Sequence, residues 1–309
     1  ARAFAGWCES EQIDIVMGIN SEAILSSLPH LPERIRCMAR CANSFDHGYR
    51  ITLSGYARLA AIIAQTPRQL KDLTEKYGAD PDKIRVIPNG LDAAPFAEAV
   101  SRRQKALGRN QEAAGSDGAR VEGPGTAFAG NSTAHRTPHT AHRPPIRLGF
   151  LGRLEHKQKG VLFLPEIVRE LEKLGIDYTL KVAGKGRHED KLRNMFAAGG
   201  RSQEAGGSIH FLGALPPDDI PNFLAETDIF LFPSQFEGCP NALLEAMMAG
   251  CVPVSWRLEG ITDFILEDEV SGAIVDRGDC AGFAGKIADF AREPEKLAMA
   301  SRQAAEQAS

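Results

Sequence analysis

The chain has 309 residues, 43% of them hydrophobic and 25% charged, with a formal net charge of −4, so it is long enough for two domains or one large one and has an ordinary globular composition. The slight acidic excess, with no stretch that combines a basic patch and interleaved aromatics, argues against a dedicated nucleic-acid binder. No apolar run reaches the roughly 18 residues that a membrane-spanning helix needs.

In chain order, 13-IDIVMGI-19 and 50-RITLSG-55 read as strands, 56-YARLAAIIA-64 and 67-PRQLKDLTEKYG-78 as helices, and 84-IRVIPNG-90 as a strand ending in a turn. Residues 1–92 therefore form part of an α/β domain, too short for an independent nucleotide-binding unit. Residues 93–145 read as a linker. From Ser101 to Pro145 it is rich in Gly, Ala, Ser, Thr, Pro, Arg and His and lacks apolar periodicity, the signature of a disordered insertion that cannot bury enough surface to repay ordering. Its mild basic excess is that of a solvated linker, or alternatively of a segment attracted peripherally to an anionic membrane surface.

Residues 146–309 form a second, regular unit. The apolar runs 146-IRLGFLG-152, 178-YTLKVAG-184, 209-IHFLG-213, 228-DIFLFPS-234, 251-CVPVSW-256 and 272-GAIVD-276 read as strands covered on both faces. They alternate with helical patterns over 161–175, 188–199, 217–226, 240–250 and 279–293, the second and fourth ending at Gly199 and Gly250. Strand and helix alternating in this way specify a doubly wound parallel sheet. The six cysteines (Cys8, Cys37, Cys41, Cys239, Cys251, Cys280) are scattered. Cys37 and Cys41 are spaced for one helical turn, but no second pair at ligand spacing joins them, so all six read as reduced structural thiols of a cytoplasmic protein.

Three constellations carry chemistry. In 150-FLGRLEHKQKG-160, Arg153 follows a strand end at Gly152, and Lys157 and Lys159 follow before the next helix. Basic side chains at the carboxyl edge of an open sheet suit a phosphate or diphosphate, the bland alternative being a solvated basic loop. In 182-VAGKGRHEDKL-192, Gly184 and Gly186 allow close approach of a ligand to the backbone, or simply connect strand and helix; the run is not a GxGxxG fingerprint. In 236-FEGCPNALLEAMMAGCVPV-254, Glu237 precedes a helix with Pro240 at its first position, and Glu245 lies inside that helix among Leu243, Leu244, Ala246, Met247 and Met248. The leading N–H groups of Asn241, Ala242 and Leu243 are placed to receive an anion. Glu245 needs a partner: backbone, lysine or a hydroxyl-rich ligand such as ribose.

The order Gly-Arg-Leu…Lys-Gly, Val-Ala-Gly-x-Gly, Phe-Leu-Gly and Phe-Pro-Ser-x-x-Glu-Gly-x-Pro-Asn-x-x-Leu-Glu-Ala-Met resembles the carboxyl-terminal half of retaining GT-B glycosyltransferases, glycosyltransferase family four, and 87-IPNGLD-92 resembles the segment leading out of that family's first domain. The resemblance implies two Rossmann-like doubly wound domains, the first truncated here, and transfer of a sugar from a UDP- or GDP-sugar to a glycan, lipid-linked or small-molecule acceptor. It implies that Glu237, Arg153 and Lys159 are the catalytic set. Arg153 and Lys159 would neutralise the donor diphosphate, with Lys157 a rival because Lys159 sits one position later than the commonest family spacing. Glu245 would hold the ribose hydroxyls, and Glu237 would face the donor sugar in a pocket shaped by Gly238, Cys239, Pro240 and Asn241. Gly152, Ala242 and Leu243 would line the donor site, and Gly184, Gly186, Phe211 and Leu212 the base.

No Asp-x-Asp metal site of the sort that metal-dependent glycosyltransferases carry is read here, and the resemblance implies metal-independent chemistry and no cofactor beyond the donor. It also departs from the family at Met17 and Gly18, where a histidine is common, at Thr262 and Asp263, where Pro and Glu are usual, and at the carboxyl end, which stops before the family's helix that crosses back to the first domain. His47 reads as a surface or structural residue. A non-catalytic nucleotide-sugar-binding module and a GT-B sugar-nucleotide epimerase are the alternative functions.

Overall fold

A computed structural model of the chain describes residues 1–98, 100–101, 144–198 and 207–308. The insertion expected over 101–145 lies almost entirely outside the described residues, as does Gly199.

The first unit runs α1 (Arg2–Ser10), β1 (Ile15–Ile19), α2 (Glu22–Leu25), β2 (Arg36–Arg40), α3 (Asp46–Leu53), β3 (Leu59–Ala64), α4 (Pro67–Lys71) and β4 (Ile84–Val86). Its four strands pair in parallel in the order β1-β2-β3-β4. A separate apolar cluster, including Leu25, Leu28, Ile35, Tyr49, Leu59, Ile62 and Leu73, fills its interior. Tyr49 Oη donates to Asp72 Oδ2 at 2.8 Å, and the same buried carboxylate pairs with Arg68 at 2.9 Å and Lys76 at 2.8 Å, which compensates its loss of water.

Two expectations fail in this unit. Residues 50–55, read as a strand from Ile51 and Thr52, instead carry the last turns of α3. Thr52 Oγ1 donates back to the Gly48 carbonyl at 2.8 Å, so the β-branched residue is satisfied in a helix. Residues 56–64, read as a helix from the Ala-rich run, form one 3-10 turn and then the buried strand β3.

The second unit runs β5 (Ile146–Leu151), α5 (His156–Lys159), α6 (Leu164–Lys173), β6 (Tyr178–Ala183), α7 (Glu189–Ala198), β7 (Gly207–Gly213), α8 (Ile220–Ala225), β8 (Ile229–Phe232), α9 (Asn241–Met248), β9 (Val252–Trp256), α10 (Thr262–Ile265), β10 (Ala273–Val275), α11 (Cys280–Arg292) and α12 (Pro294–Ala308). All six predicted strands are present. They pair in parallel in the order β10-β9-β8-β5-β6-β7, with Leu148 opposite Ile229 and Ile146 opposite Tyr178. Both faces are covered. One side packs Phe150, Trp256 and Phe283 against α6 and α11, and Trp256 and Phe283 meet edge to face at 4.8 Å. The other packs Phe230, Phe232, Met247 and Ala304 under α8, α9 and α12. Burial on both faces is why these strands read as unbroken apolar runs.

The strand order fixes the site. β5 comes first in the unit; β6 and β7 extend the sheet one way, and β8, β9 and β10 the other. The topological switch therefore lies between β5 and β8, and a doubly wound sheet opens a crevice at the carboxyl ends of those two strands.

Candidate active site

The loops leaving β5 and β8 both enter that crevice, and they are built on each other. Gly152 N–H donates to the Ala183 carbonyl at 3.0 Å and Leu154 N–H to the Lys185 carbonyl at 2.9 Å, tying the β5 loop to the β6 loop. Gln235 N–H donates to the Gln158 carbonyl at 2.7 Å, and its side-chain amide donates to the His156 carbonyl at 2.7 Å, tying it to the β8 loop. The Glu155 carboxylate caps α5, accepting the Lys157 and Gln158 N–H groups at 3.1 and 3.0 Å.

This scaffold brings the three predicted catalytic residues together. Glu237 is buried, 5% exposed, and its Oε1 accepts from Lys159 Nζ at 2.7 Å. Gln158 bridges to the third group: its Nε2 lies 3.4 Å from Glu237 Oε2, and its Oε1 accepts from the exposed Arg153 guanidinium at 2.5 Å. Lys157 points to solvent and its ammonium meets no carboxylate among the described residues, so the structure faces Lys159 rather than Lys157 into the crevice. The sequence did not single out Gln158; only its position between two predicted cations marked it.

The helix α9 begins at Asn241, with Pro240 as its cap residue rather than its first turn. Leu243 N–H donates to the Pro240 carbonyl at 3.0 Å, which corrects the expectation that it is free; Asn241 and Ala242 alone keep N–H groups without a partner among the described residues. The helix ends at Met248 with Ala249 as its cap, two residues short of the predicted Gly250, which follows at φ +71° and donates its N–H to the Met247 carbonyl at 2.8 Å. Glu245 is half-buried, and no described residue donates to its carboxylate. Burial alone raises its pKa above the ordinary carboxylate range. Of the partners the sequence left open for Glu245, backbone and lysine are therefore not used.

The two predicted glycines of the β6 loop have a structural reason to be glycine. Gly184 has φ +140°, and a Cβ there would lie 1.8 Å from the Gly152 carbonyl oxygen; at Gly186 it would lie 2.5 Å from the Leu154 oxygen. Both residues let the β5 loop lie against the β6 loop. Phe211 packs its ring on Phe196 at 6.0 Å, and the Arg193 guanidinium lies over it at 4.1 Å, whereas Leu212 is exposed at the end of the edge strand β7. Thr262 and Asp263 serve the backbone of their own loop. The Thr262 hydroxyl donates to the Trp256 carbonyl at 3.0 Å, and Asp263 accepts the Gly260 N–H at 2.6 Å.

The first sheet closes the crevice. Phe45 meets Phe236 edge to face at 6.4 Å, and Gly238 lies so close to the Ala42 carbonyl that a Cβ there would stand 2.6 Å from its oxygen. Asn89 Nδ2 donates to Asn241 Oδ1 at 2.6 Å, while Asn89 Oδ1 accepts from the Arg40 guanidinium. Arg40, Ile63, Ile87, Asn89, Leu91 and Asn241 are among the residues lining a cleft of about 400 Å³ between the sheets. Arg40 was missed in the sequence because β2 itself was missed. Cys239 is half-buried; burial pushes its thiol pKa up, and the other five cysteines are buried and free. His47 is exposed on α3. No helix among the described residues is long and apolar enough to cross a membrane.

Two parallel α/β sheets whose carboxyl strand ends meet across one cleft define the GT-B class of fold. HepE of Anabaena, solved in complex with UDP and glucose, superposes with a TM-score of 0.69 at 17% identity, over 100% of this chain and 77% of that one. Residues 145–293 match the family described as Glycosyl transferases group 1. Among curated proteins it is similar to the amylovoran biosynthesis glycosyltransferase AmsK of Erwinia amylovora, with 34% identity over 45% of this chain and 34% of that protein. It is also similar to the putative colanic acid biosynthesis glycosyltransferase WcaL of Salmonella typhimurium, with 30% identity over 48% of this chain and 36% of the relative. The chain thus spans about a third of the length of these relatives.

Proposed function

We propose that the chain is the donor-binding part of a glycosyltransferase that moves a sugar from a UDP- or GDP-sugar to a carbohydrate or lipid-linked acceptor with retention of anomeric configuration. The observation that carries this reading is the Lys159–Glu237 pair, 2.7 Å apart at the switch point of the sheet and beside the start of α9. Breaking the anomeric C–O bond places negative charge on the leaving diphosphate. Lys159, Arg153 and the Asn241 and Ala242 N–H groups meet that charge as it develops, in a crevice where such interactions are strong. Because these groups suffice to neutralise a diphosphate, the reaction is metal-independent in this reading.

Glu237 faces the sugar and accepts from its hydroxyls, and Glu245 takes the ribose hydroxyls that supply its missing donors. The acceptor enters through the cleft lined by Arg40, Asn89 and Asn241 and attacks from the leaving group's own face. A panel of UDP-, GDP- and ADP-sugars, assayed for transfer and donor hydrolysis with the parent, Arg153→Ala and Glu237→Ala in the full-length protein, tests it. Turnover unaffected by both substitutions overturns the assignment, and nucleotide binding without any turnover favours a non-catalytic nucleotide-sugar-binding module.

A further inference from the structure

The loop that carries Arg153 and Lys159 is held by two histidines that none of the chemistry above uses. The backbone N–H of His156 donates to Nδ1 of His188 at 3.2 Å, and the backbone N–H of Leu162 donates to Nδ1 of His156 at 3.3 Å. The rings stand 6.3 Å apart, edge to face, and the His156 ring packs 5.0 Å from Phe163. His188 is itself fixed, its N–H donating to the Leu154 carbonyl at 3.0 Å, while the His156 carbonyl accepts from Gly160 at 3.0 Å and from the Gln235 side chain at 2.7 Å. The main chain at 156 is therefore the junction at which the loops after β5, β6 and β8 are joined.

A neutral imidazole has one acceptor nitrogen and an imidazolium has none. Both hydrogen bonds here consume that single acceptor, so each requires its histidine to be neutral with the proton on Nε2. Protonation turns each accepted N–H into a donor facing a donor. The added positive charge is favoured by Glu155 and the Gly160 backbone, but Glu155 is shared with Arg187 and two backbone N–H groups, and Lys191 of α7 opposes it as a like charge.

We propose that His156 and His188 are positioning residues that keep the Arg153–Lys159 loop in its diphosphate-receiving shape, and that protonation of His156 on acidification releases the loop and with it the donor. The effect on the donor rests on the function proposed above; the effect on the loop does not. Burial, and then the neighbouring His188, lower the pKa of His156 below its usual value. A folded state that resists the proton is stabilised above the unfolded histidine value of about 6.5 and loses that stabilisation as the pH falls below it through the folded value. The loop is therefore intact at neutral pH and fails on the acid side.

Asparagine places its Oδ1 where Nδ1 stands and does not titrate, so the His156→Asn/His188→Asn variant keeps both acceptors, and the double alanine variant keeps neither. Amide resonances of residues 156 and 162 and calorimetric titration with UDP are followed from about pH 8 to about pH 5, the range in which histidine changes charge. In the parent, the residue 162 amide, which donates to His156, shifts and UDP binding weakens by about tenfold, a change of ~1.4 kcal/mol. In the double asparagine variant the amides stay put and UDP weakens by less than about twofold over the same range, a residue set by the ligand's own titration; the double alanine variant binds weakly at every pH. The proposal is overturned if the parent residue 162 amide does not titrate, or if the asparagine variant loses UDP on acidification as the parent does. A titrating residue 162 amide without UDP binding at any pH supports the loop device and overturns the donor reading instead.

Discussion

Lys159 and Glu237 depend on each other more than either depends on solvent. Their side chains are 16% and 6% exposed, and without Lys159 the carboxylate keeps, among the described residues, only the Gln158 amide at 3.4 Å. Removing one member of a buried pair leaves an uncompensated charge, so Lys159→Ala is expected to destabilise the second unit by about 3 kcal/mol. Lys159→Met combined with Glu237→Gln buries no charge and should unfold closer to the parent, while abolishing turnover as completely; chemical denaturation of the three proteins checks this ordering.

Glu245 presents the reverse case. Its pKa is raised in the folded state by burial, so the stability it permits is full below the ordinary carboxylate value and is lost as the pH rises through the folded value. Glu245→Gln should therefore raise the melting temperature at neutral pH and flatten that pH dependence. The same change should weaken UDP by about tenfold, the worth of one hydrogen bond to a charged group. A variant that is both less stable and an unimpaired binder contradicts the ribose role.

At the level of elements, the second sheet was legible in the sequence because burial on both faces writes strands as apolar runs, from 146-IRLGFLG-152 to 272-GAIVD-276. The first was not. β2 is 36-RCMAR-40, charged at both ends and buried only at Cys37 and Ala39, so neither period stands out. β3, 59-LAAIIA-64, has the alanines of a helix and is a strand because it lies between two neighbours. The site followed the same division. Arg153, Lys159, Glu237 and Glu245 stand at motif positions of the legible sheet, whereas Gln158, His156, His188 and Arg40 act through contacts between loops, which no spacing records.

The glycines at the loop crossings are the element-scale test. Gly160, at φ +64°, would place a Cβ 1.9 Å from the Pro233 oxygen, and Gly184 one 1.8 Å from the Gly152 oxygen, in each case against backbone. Gly184→Ala and Gly160→Ala should each cost about 2–4 kcal/mol, because the left-handed strain and the displaced loop add. Gly175, at φ +68° with open space around it, should cost only about 1 kcal/mol on mutation to alanine, since the strain acts there alone. Thermal melts of the three variants separate crowding from backbone conformation.

Across the whole molecule, the two sheets keep separate apolar clusters and meet largely through polar groups. Lys71 pairs with Glu259 at 3.0 Å, both well exposed; Arg68 N–H reaches the Gly260 carbonyl at 3.3 Å; and the Arg40–Asn89–Asn241 chain crosses the cleft. Exposed pairs contribute at most about 1 kcal/mol, so Lys71→Ala should leave the melt unchanged. An interface of this kind permits the sheets to move relative to each other. Asn89 is differently placed, because it joins a first-sheet arginine to the residue that starts α9. Lys159, Glu237 and Glu245, the donor groups of the proposed function, all belong to the second sheet, so in that proposal UDP binding does not require the first sheet, whereas transfer requires both around one acceptor. Asn89→Ala should therefore leave UDP affinity within about twofold of the parent and lower kcat by about tenfold or more, as loss of positioning does. If UDP affinity falls in step with kcat, Asn89 acts on the donor through Asn241, and the cleft between the sheets loses its role in placing the acceptor.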